Sequence, residues 1–291
     1  MACRKRPGKN RRSIDAVAHG AARSRRPLGA RQLRVKRAPP LARQPGYAVL
    51  SVNFRGSNGF GKAFINTGDR EWAGKMHDDL IDAVDWAVER GIAVRDKVAI
   101  MGGSYGGYAT LAGLTFTPDV FACGVDLVGP SNLITLLESI PPYWAPMFDM
   151  FATRVGDPRT ESGRAFLKER SPLTYADRIS KPLLIGQGAN DPRVKQQEAD
   201  QIVAAMKAQG IPVTYALYPD EGHGFVRPEN NLSFNAIVEG FFGAILGGRV
   251  EPIGDDLQGS SLQIPEGAEQ IQGLDMSRRS ADRSGKKPED H

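Results

Sequence analysis

From residue 46 to residue 248, short runs of β-branched and aliphatic residues alternate with segments of helical spacing. Tyr47–Phe54 reads as a buried strand. Over Asp78–Arg90, residues Leu80, Val84, Ala87 and Val88 share one face, acids crowd the first turn and Gly91 stops the pattern, so a helix is predicted. Lys97–Met101 predicts a second strand, followed at once by a glycine-rich turn and an apolar helix over Tyr105–Phe116. Third and fourth strands are predicted over Ala122–Val128 and Pro182–Gly186, with a fifth over Val213–Tyr218. Helices over Glu198–Gln209, ended by Gly210, and over Leu232–Leu246 complete the alternation. Strands and helices in this order give an α/β fold with a mostly parallel sheet, whose chemistry gathers at the carboxyl ends of the strands.

Composition narrows the class. With 291 residues, 41% hydrophobic and 24% charged, the chain has room for one large domain or two small ones. Wholesale disorder, collagen and coiled coil are excluded. No apolar run reaches the length of a membrane span. Cys3 and Cys123 are too few for a disulfide scaffold or an all-cysteine zinc site.

Charge changes the picture more. Residues 1–45 hold 14 Lys/Arg against the single acid Asp15, whereas residues 46–291 carry a net charge of −8. The expected organisation is therefore a basic arm over 1–45, an α/β body over 46–248 and a polar, aperiodic tail over 249–291, the arm and tail disordered. Such an arm suits nucleic acid or anionic lipid in principle. The acidic body makes nucleic acid an unexpected partner for the rest. The basic N-terminus has no apolar stretch after it, so no secretory signal is read and the cytoplasm is the default compartment.

The chemistry centres on Gly102-Gly103-Ser104-Tyr105-Gly106, a G-x-S-x-G match. Chance supplies about 0.2 such matches in a chain with this much glycine and serine. Its setting gives it weight: a strand enters and a helix leaves, the context in which a serine hydroxyl is thrust out over a sheet edge. Ser104 is the candidate nucleophile. Of the four histidines, His19 and His291 lie in the tails and His77 reads as a surface residue at a helix start. His223, in Asp220-Glu-Gly-His-Gly after the fifth strand, is the candidate base. Asp191, in Gly186-Gln-Gly-Ala-Asn-Asp, follows the fourth strand and is the candidate orienting acid. The order Ser, Asp, His is that of α/β-hydrolases. The backbone N–H of Tyr105, at the helix N-terminus, is one oxyanion donor. This chemistry requires no metal or organic cofactor. The acids Asp78, Asp79, Asp82 and Asp85 read as a solvated helix face.

Ser104-Tyr-Gly-Gly-Tyr, with Asn53-Phe-Arg-Gly-Ser-Asn-Gly-Phe-Gly upstream, resembles the prolyl oligopeptidase family of serine peptidases. Glu71-Trp-Ala-Gly-Lys-Met-His-Asp-Asp and Asp191-Pro-Arg-Val narrow the resemblance to its acylaminoacyl-peptidase and dipeptidyl-peptidase-like branch. Covering about residues 46–250, the resemblance implies an α/β-hydrolase fold acting on short peptides through an acyl-enzyme. It also implies that Arg193 reaches toward the peptide backbone. Tyr143 and Trp144 are similar to the family's aromatic pocket wall, though core packing accounts for those two equally well.

Two departures stand out. The resemblance implies a β-propeller before the hydrolase domain, for which this chain has no room, so an N-terminally truncated member is expected. It also implies a strand ending in His-Gly-Gly-Pro, the source of the second oxyanion donor, between the strands at 47–54 and 98–101. That motif is absent in frame, and residues 1–45 are too charged and proline-rich to be expected to replace the strand. The first strands of the fold are thus expected to be missing or replaced. Read one nucleotide later, GC-rich codons for Gly20–Gln32 can spell Val-Leu-Leu-Val-His-Gly-Gly-Pro and beyond, with the frame restored near Leu41. A frame-shifted arm is therefore the alternative to a disordered one. The expected activity is that of a serine peptidase, impaired by the lost donor. A carboxylesterase-type hydrolase and a non-enzymatic fragment with a nucleic-acid-binding arm remain as alternatives.

Overall fold

The computed structural model describes residues 13–18, 47–140, 142–271 and 273–274. Among these residues seven strands form one sheet: β1 (Ser13–Ala18), β2 (Tyr47–Ser51), β3 (Val98–Gly103), β4 (Cys123–Leu127), β5 (Leu183–Gly188), β6 (Val213–Tyr218) and β7 (Gln263–Glu266). Their order across the sheet is β2-β1-β3-β4-β5-β6-β7. Every neighbouring pair is parallel except β6 and β7, which run antiparallel with a bulge. The helices are α1 (Lys62–Asn66), α2 (Lys75–Glu89), α3 (Tyr105–Phe116), α4 (Leu133–Glu138), α5 (Phe148–Arg154), α6 (Glu161–Glu169), α7 (Gln196–Ala208) and α8 (Pro228–Leu246). None among the described residues is long and apolar enough to cross a membrane.

Alternation along the strands explains why both faces are covered. In β3, Val98 and Ile100 join the core shared with Leu80 and Val84 of α2, Leu111 and Leu114 of α3, and Ile202 and Met206 of α7. Ala99, between them, faces Ile237, Phe241 and Phe242 of α8 together with Val125, Leu184 and Ala216. Burying each such Leu, Ile or Phe is worth about 1.5–3 kcal/mol, so the two layers clamp the sheet from both sides. This is the three-layer arrangement of an α/β-hydrolase fold.

Two expectations are corrected. A strand from residues 1–45 does fill the central position: β1 pairs in parallel with β2 on one side and β3 on the other. Neither of those strands lacks a ladder partner there, so the cost of an orphaned backbone group, about 1–3 kcal/mol each, does not arise. The physical reason is local. Ser13-Ile-Asp-Ala-Val-Ala contains no Lys, Arg, Pro or Gly and holds the arm's single acid, a pattern masked by the charge on either side. The segment of the frame-shifted reading lies outside the described residues. The tail is also not wholly irregular, because Gln263–Glu266 pairs with β6, and Ile253, Leu262 and Ile271 are buried against α8's layer. A four-residue edge strand with alternate residues exposed carries too weak a period to stand out in a polar stretch.

Smaller differences have local causes. β2 ends at Ser51 because Phe54 O accepts from both the N–H and the hydroxyl of Ser57, which turns the chain. α8 begins at Pro228, since proline at the first helical position loses no hydrogen bond. The acids of α2 are not simply solvated. Asp79 takes a bidentate pair from Arg55 at 2.8 and 2.6 Å, pinning the loop after β2 to the helix. Asp85 pairs with Arg95 at 2.5 Å.

Candidate active site

The site lies at the carboxyl ends of β3, β5 and β6. β3 turns directly into α3, and Ser104 is the hinge, with φ 59° and ψ −115°. A left-handed φ on a non-glycine residue costs on the order of 1–3 kcal/mol and persists only where its surroundings enforce it. Here the Ser104 N–H is held by Leu127 O at 2.8 Å, fixing the turn to the end of β4. The strand enters very close to the helix: a Cβ on Gly102 would lie 2.5 Å from the carbonyl carbon of Gly106. Tyr105 opens α3, where first-turn N–H groups have no intrahelical acceptor and face outward. Beneath it, Trp72 packs edge-on to the Tyr105 ring at 4.6 Å and Phe54 lies 5.1 Å away. Burial raises the Tyr105 phenol far above its ordinary pKa, so it stays neutral.

Ser104, His223 and Asp191 form one hydrogen-bonded line. His223 Nε2 stands 2.9 Å from Ser104 Oγ, and Nδ1 stands 2.7 Å from Asp191 Oδ2. With Nδ1–H donating to the carboxylate, Nε2 is left as the acceptor for the serine hydroxyl. The Asp191 side chain is fully buried while that of His223 retains 15% exposure. Asp191 Oδ1 accepts from the N–H groups of Arg193 (2.8 Å) and Val194 (3.0 Å), so its other oxygen is free to aim at the ring.

Two supports of this line escaped the sequence reading. Glu221 is 3% exposed, and its carboxylate accepts from the N–H groups of Val226 and Arg227 and from Asn230 Nδ2, each at 2.9 Å. It thereby folds the His223 loop onto the start of α8. The signal was present in Asp220-Glu-Gly-His, but an acid in a polar turn reads as solvated until its burial is known. The second support is Gly188, at the end of β5. A Cβ there would sit 2.3 Å from Gly222 O and 2.7 Å from Glu221 O, so only glycine lets the acid's loop and the histidine's loop meet.

Arg193, Trp144 and Tyr143 are brought together. The Arg193 guanidinium lies 5.4 Å from the Trp144 ring, which stacks on Phe151 at 5.6 Å and meets Tyr143 edge-on at 6.1 Å. Core packing does not account for Tyr143, which is 58% exposed on the 3-10 turn Pro142–Met147. His77 is a correction in the opposite direction, for it is 6% exposed rather than superficial. Its Nε2 lies 3.0 Å from Thr117 Oγ1, and burial lowers its pKa to about 4. His19 and His291 lie outside the described residues.

A second buried ionisable group sits behind the serine. Asp126 is 1% exposed, and burial raises its pKa to about 7, opposed by the N–H of Gly129. The signs of the two groups are opposite. His77 costs stability as pH falls from 6.5 toward 4, because unfolding then takes up a proton. Asp126 costs stability as pH rises from 3.8 toward 7, because unfolding then releases one. Asp126→Asn is therefore expected to gain stability relative to the parent as pH rises, levelling at about 4 kcal/mol above pH 7. Urea midpoints at pH 4, 5.5 and 8 check it; a difference independent of pH would contradict the assignment.

Comparison with known proteins agrees with this fold. A model of the prolyl oligopeptidase family matches residues 34–249. The chain is 71% identical over 229 residues to dipeptidyl aminopeptidase BIII of Pseudoxanthomonas mexicana, covering 79% of this chain and 33% of that protein. It is 56% identical over 220 residues to dipeptidyl peptidase family member 6 of Caenorhabditis elegans, covering 75% of this chain and 30% of that one. The fold superimposes on a puromycin-hydrolyzing peptidase of Mycobacterium tuberculosis with a TM-score of 0.71 and 29% identity, over 84% of this chain and 36% of that one. The chain thus spans about a third of the length of the curated relatives it matches.

Proposed function

The chain belongs to the prolyl oligopeptidase family, and on that premise we propose that it carries a serine peptidase's catalytic centre, with Ser104 as nucleophile. The observation that carries the reading is the unbroken line Asp191–His223–Ser104, with contacts of 2.7 and 2.9 Å. His223 Nε2 takes the Ser104 proton as Oγ attacks the scissile carbonyl, and buried Asp191 stabilises the imidazolium that forms. The Tyr105 N–H, together with the helix start behind it, faces the negative charge developing on the carbonyl oxygen. His223 then passes its proton to the leaving amine, and water hydrolyses the resulting acyl-Ser104 by the same route in reverse. Peptides are the substrate class of the relatives named dipeptidyl aminopeptidase and dipeptidyl peptidase, and we carry that class over. Arg193, held over Trp144 and one turn from Asp191, is suited to a substrate carbonyl, with Tyr143 and Trp144 as the apolar wall. The His-Gly-Gly-Pro motif is absent in frame and the Tyr105 N–H is the oxyanion donor among the described residues; loss of one such donor costs roughly 10²–10³ in turnover.

The test pairs aminoacyl and dipeptidyl amides with p-nitrophenyl esters, using Ser104→Ala as the blank. Amide hydrolysis above the blank, with organophosphonate bound covalently at Ser104, is the expected result. Hydrolysis of esters alone would make the chain a carboxylesterase-type hydrolase instead. Phosphonate found on another residue of the folded protein would remove Ser104 from its role.

A further inference from the structure

Behind the nucleophile, the turn Asp126-Leu-Val-Gly129 closes the end of β4 in a conformation that its sequence resists. Val128 has φ 50°, in a region that β-branched residues avoid. Three contacts hold it there. The Val128 N–H bonds Gly186 O at 2.8 Å, tying the turn to β5. The Leu127 carbonyl receives the N–H of Ser104 at 2.8 Å. The Asp126 Oδ1 accepts from the Gly129 N–H at 2.8 Å, bridging the turn from its first residue to its last.

Asp126 also touches the helix that Ser104 starts. A Cβ on Gly107 would lie 2.1 Å from Asp126 Oδ1, and one on Gly129 would lie 2.4 Å from the carbonyl carbon of Gly107. The carboxyl is thus wedged between the turn and the first turn of α3, three residues past Ser104. Across the sheet its register neighbours are Gly102 of β3 and Ile185 of β5, neither of which ionises. Its other oxygen, Oδ2, is buried with no hydrogen-bond partner. A carboxylate would not be left so, and the neutral acid suits the position; burial pushes the group that way.

We propose that Asp126 is a positioning residue for the nucleophile: its Oδ1 bond to Gly129 holds the strained turn whose Leu127 carbonyl fixes Ser104 in its left-handed conformation. The inference rests on Ser104 as the nucleophile for its kinetic consequence, but not for its structural one. Asparagine should serve nearly as well as aspartic acid, since its carbonyl oxygen accepts the same bond and its amide N–H groups, like the neutral acid's O–H, are uncharged donors at a position without a partner. Alanine should not, because the turn then keeps its strain without its tie.

Two measurements on the intact chain separate these possibilities: the saturation kinetics of organophosphonate labelling, and amide hydrogen exchange at Ser104, Gly129 and the β4 residue Val125. Asp126→Ala is expected to label about 30–100-fold more slowly at saturating reagent, with half-saturation unchanged, the size of loss that a displacement near 1 Å produces. Exchange at Ser104 and Gly129 should quicken while Val125 stays protected. Asp126→Asn should label within about threefold of the parent and keep both amides protected. Parent-like labelling and protection in the alanine variant would overturn the proposal, as would an asparagine variant as slow as alanine. If the alanine variant does not fold, the asparagine variant decides on the same two criteria. If the parent is not labelled at all yet alanine loosens Ser104 selectively, the nucleophile reading fails and the positioning of Ser104 stands.

Discussion

His223→Ala is expected to slow phosphonylation of Ser104 by on the order of 10⁴–10⁶-fold while leaving the fold intact. The size follows from the proton. A serine hydroxyl is a weak nucleophile until a base within hydrogen-bond reach takes its proton, and among the described residues that group is His223 Nε2 at 2.9 Å. The fold should survive because His223 sits on a loop closed by Glu221 rather than by its own ring. Asp191→Asn should follow with a loss of about 10⁴, since an amide that donates to Nδ1 imposes the tautomer that points a proton at Ser104. Second-order labelling rates, with circular dichroism as the check on folding, measure both. A fall of less than tenfold in the histidine variant would mean that another group takes the proton.

Gly188→Ala should remove both stability and activity although it touches no reacting atom. The added methyl would lie 2.3 Å from one backbone oxygen and 2.7 Å from another, and neither can rotate away as a side-chain end could. Overpacking of this kind costs about 1–3 kcal/mol, and more where backbone must move. Both oxygens belong to the His223 loop, so relieving the clash parts it from the Asp191 loop. A separation near 1 Å is enough to cost about 100-fold in rate. The urea midpoint should drop and labelling should slow together. A variant with the parent's midpoint and rate would show that the two loops do not need their close approach.

How much of this was legible in the sequence depends on how local each signal is. The elbow was readable because strand, glycines, serine and helix are contiguous, and α3 and β6 span the residues the pattern predicts. Asp191 and His223 stood out by their places after successive strands, and the structure brings both into line with Ser104. β1 was not, because a strand of six residues carries little signal inside an arm of opposite character. The helices between β4 and β5 were missed for a related reason: α4, α5 and α6 are of six, seven and nine residues, too short for a helical period to emerge. The letters of Asp126 and Glu221 were in view, but their burial was not. Their roles depend on which groups enclose them, and a buried acid has the same letter as a solvated one.

The β7 segment has a consequence for the catalytic loop. Ser261, just before that strand, gives its N–H to Asn230 Oδ1 at 2.9 Å and its hydroxyl to Asp220, while Asn230 in turn binds Asp220 and Glu221 on the loop that carries His223. The family match stops at residue 249, short of Ser261 and β7. A single proteolytic nick between Glu251 and Ser261 would leave Ser104, Asp191 and His223 on one uncut polypeptide, yet it would put Ser261, the outer buttress of Asn230 and Asp220, on a detachable fragment. The fold thus carries a point of weakness about thirty residues beyond His223.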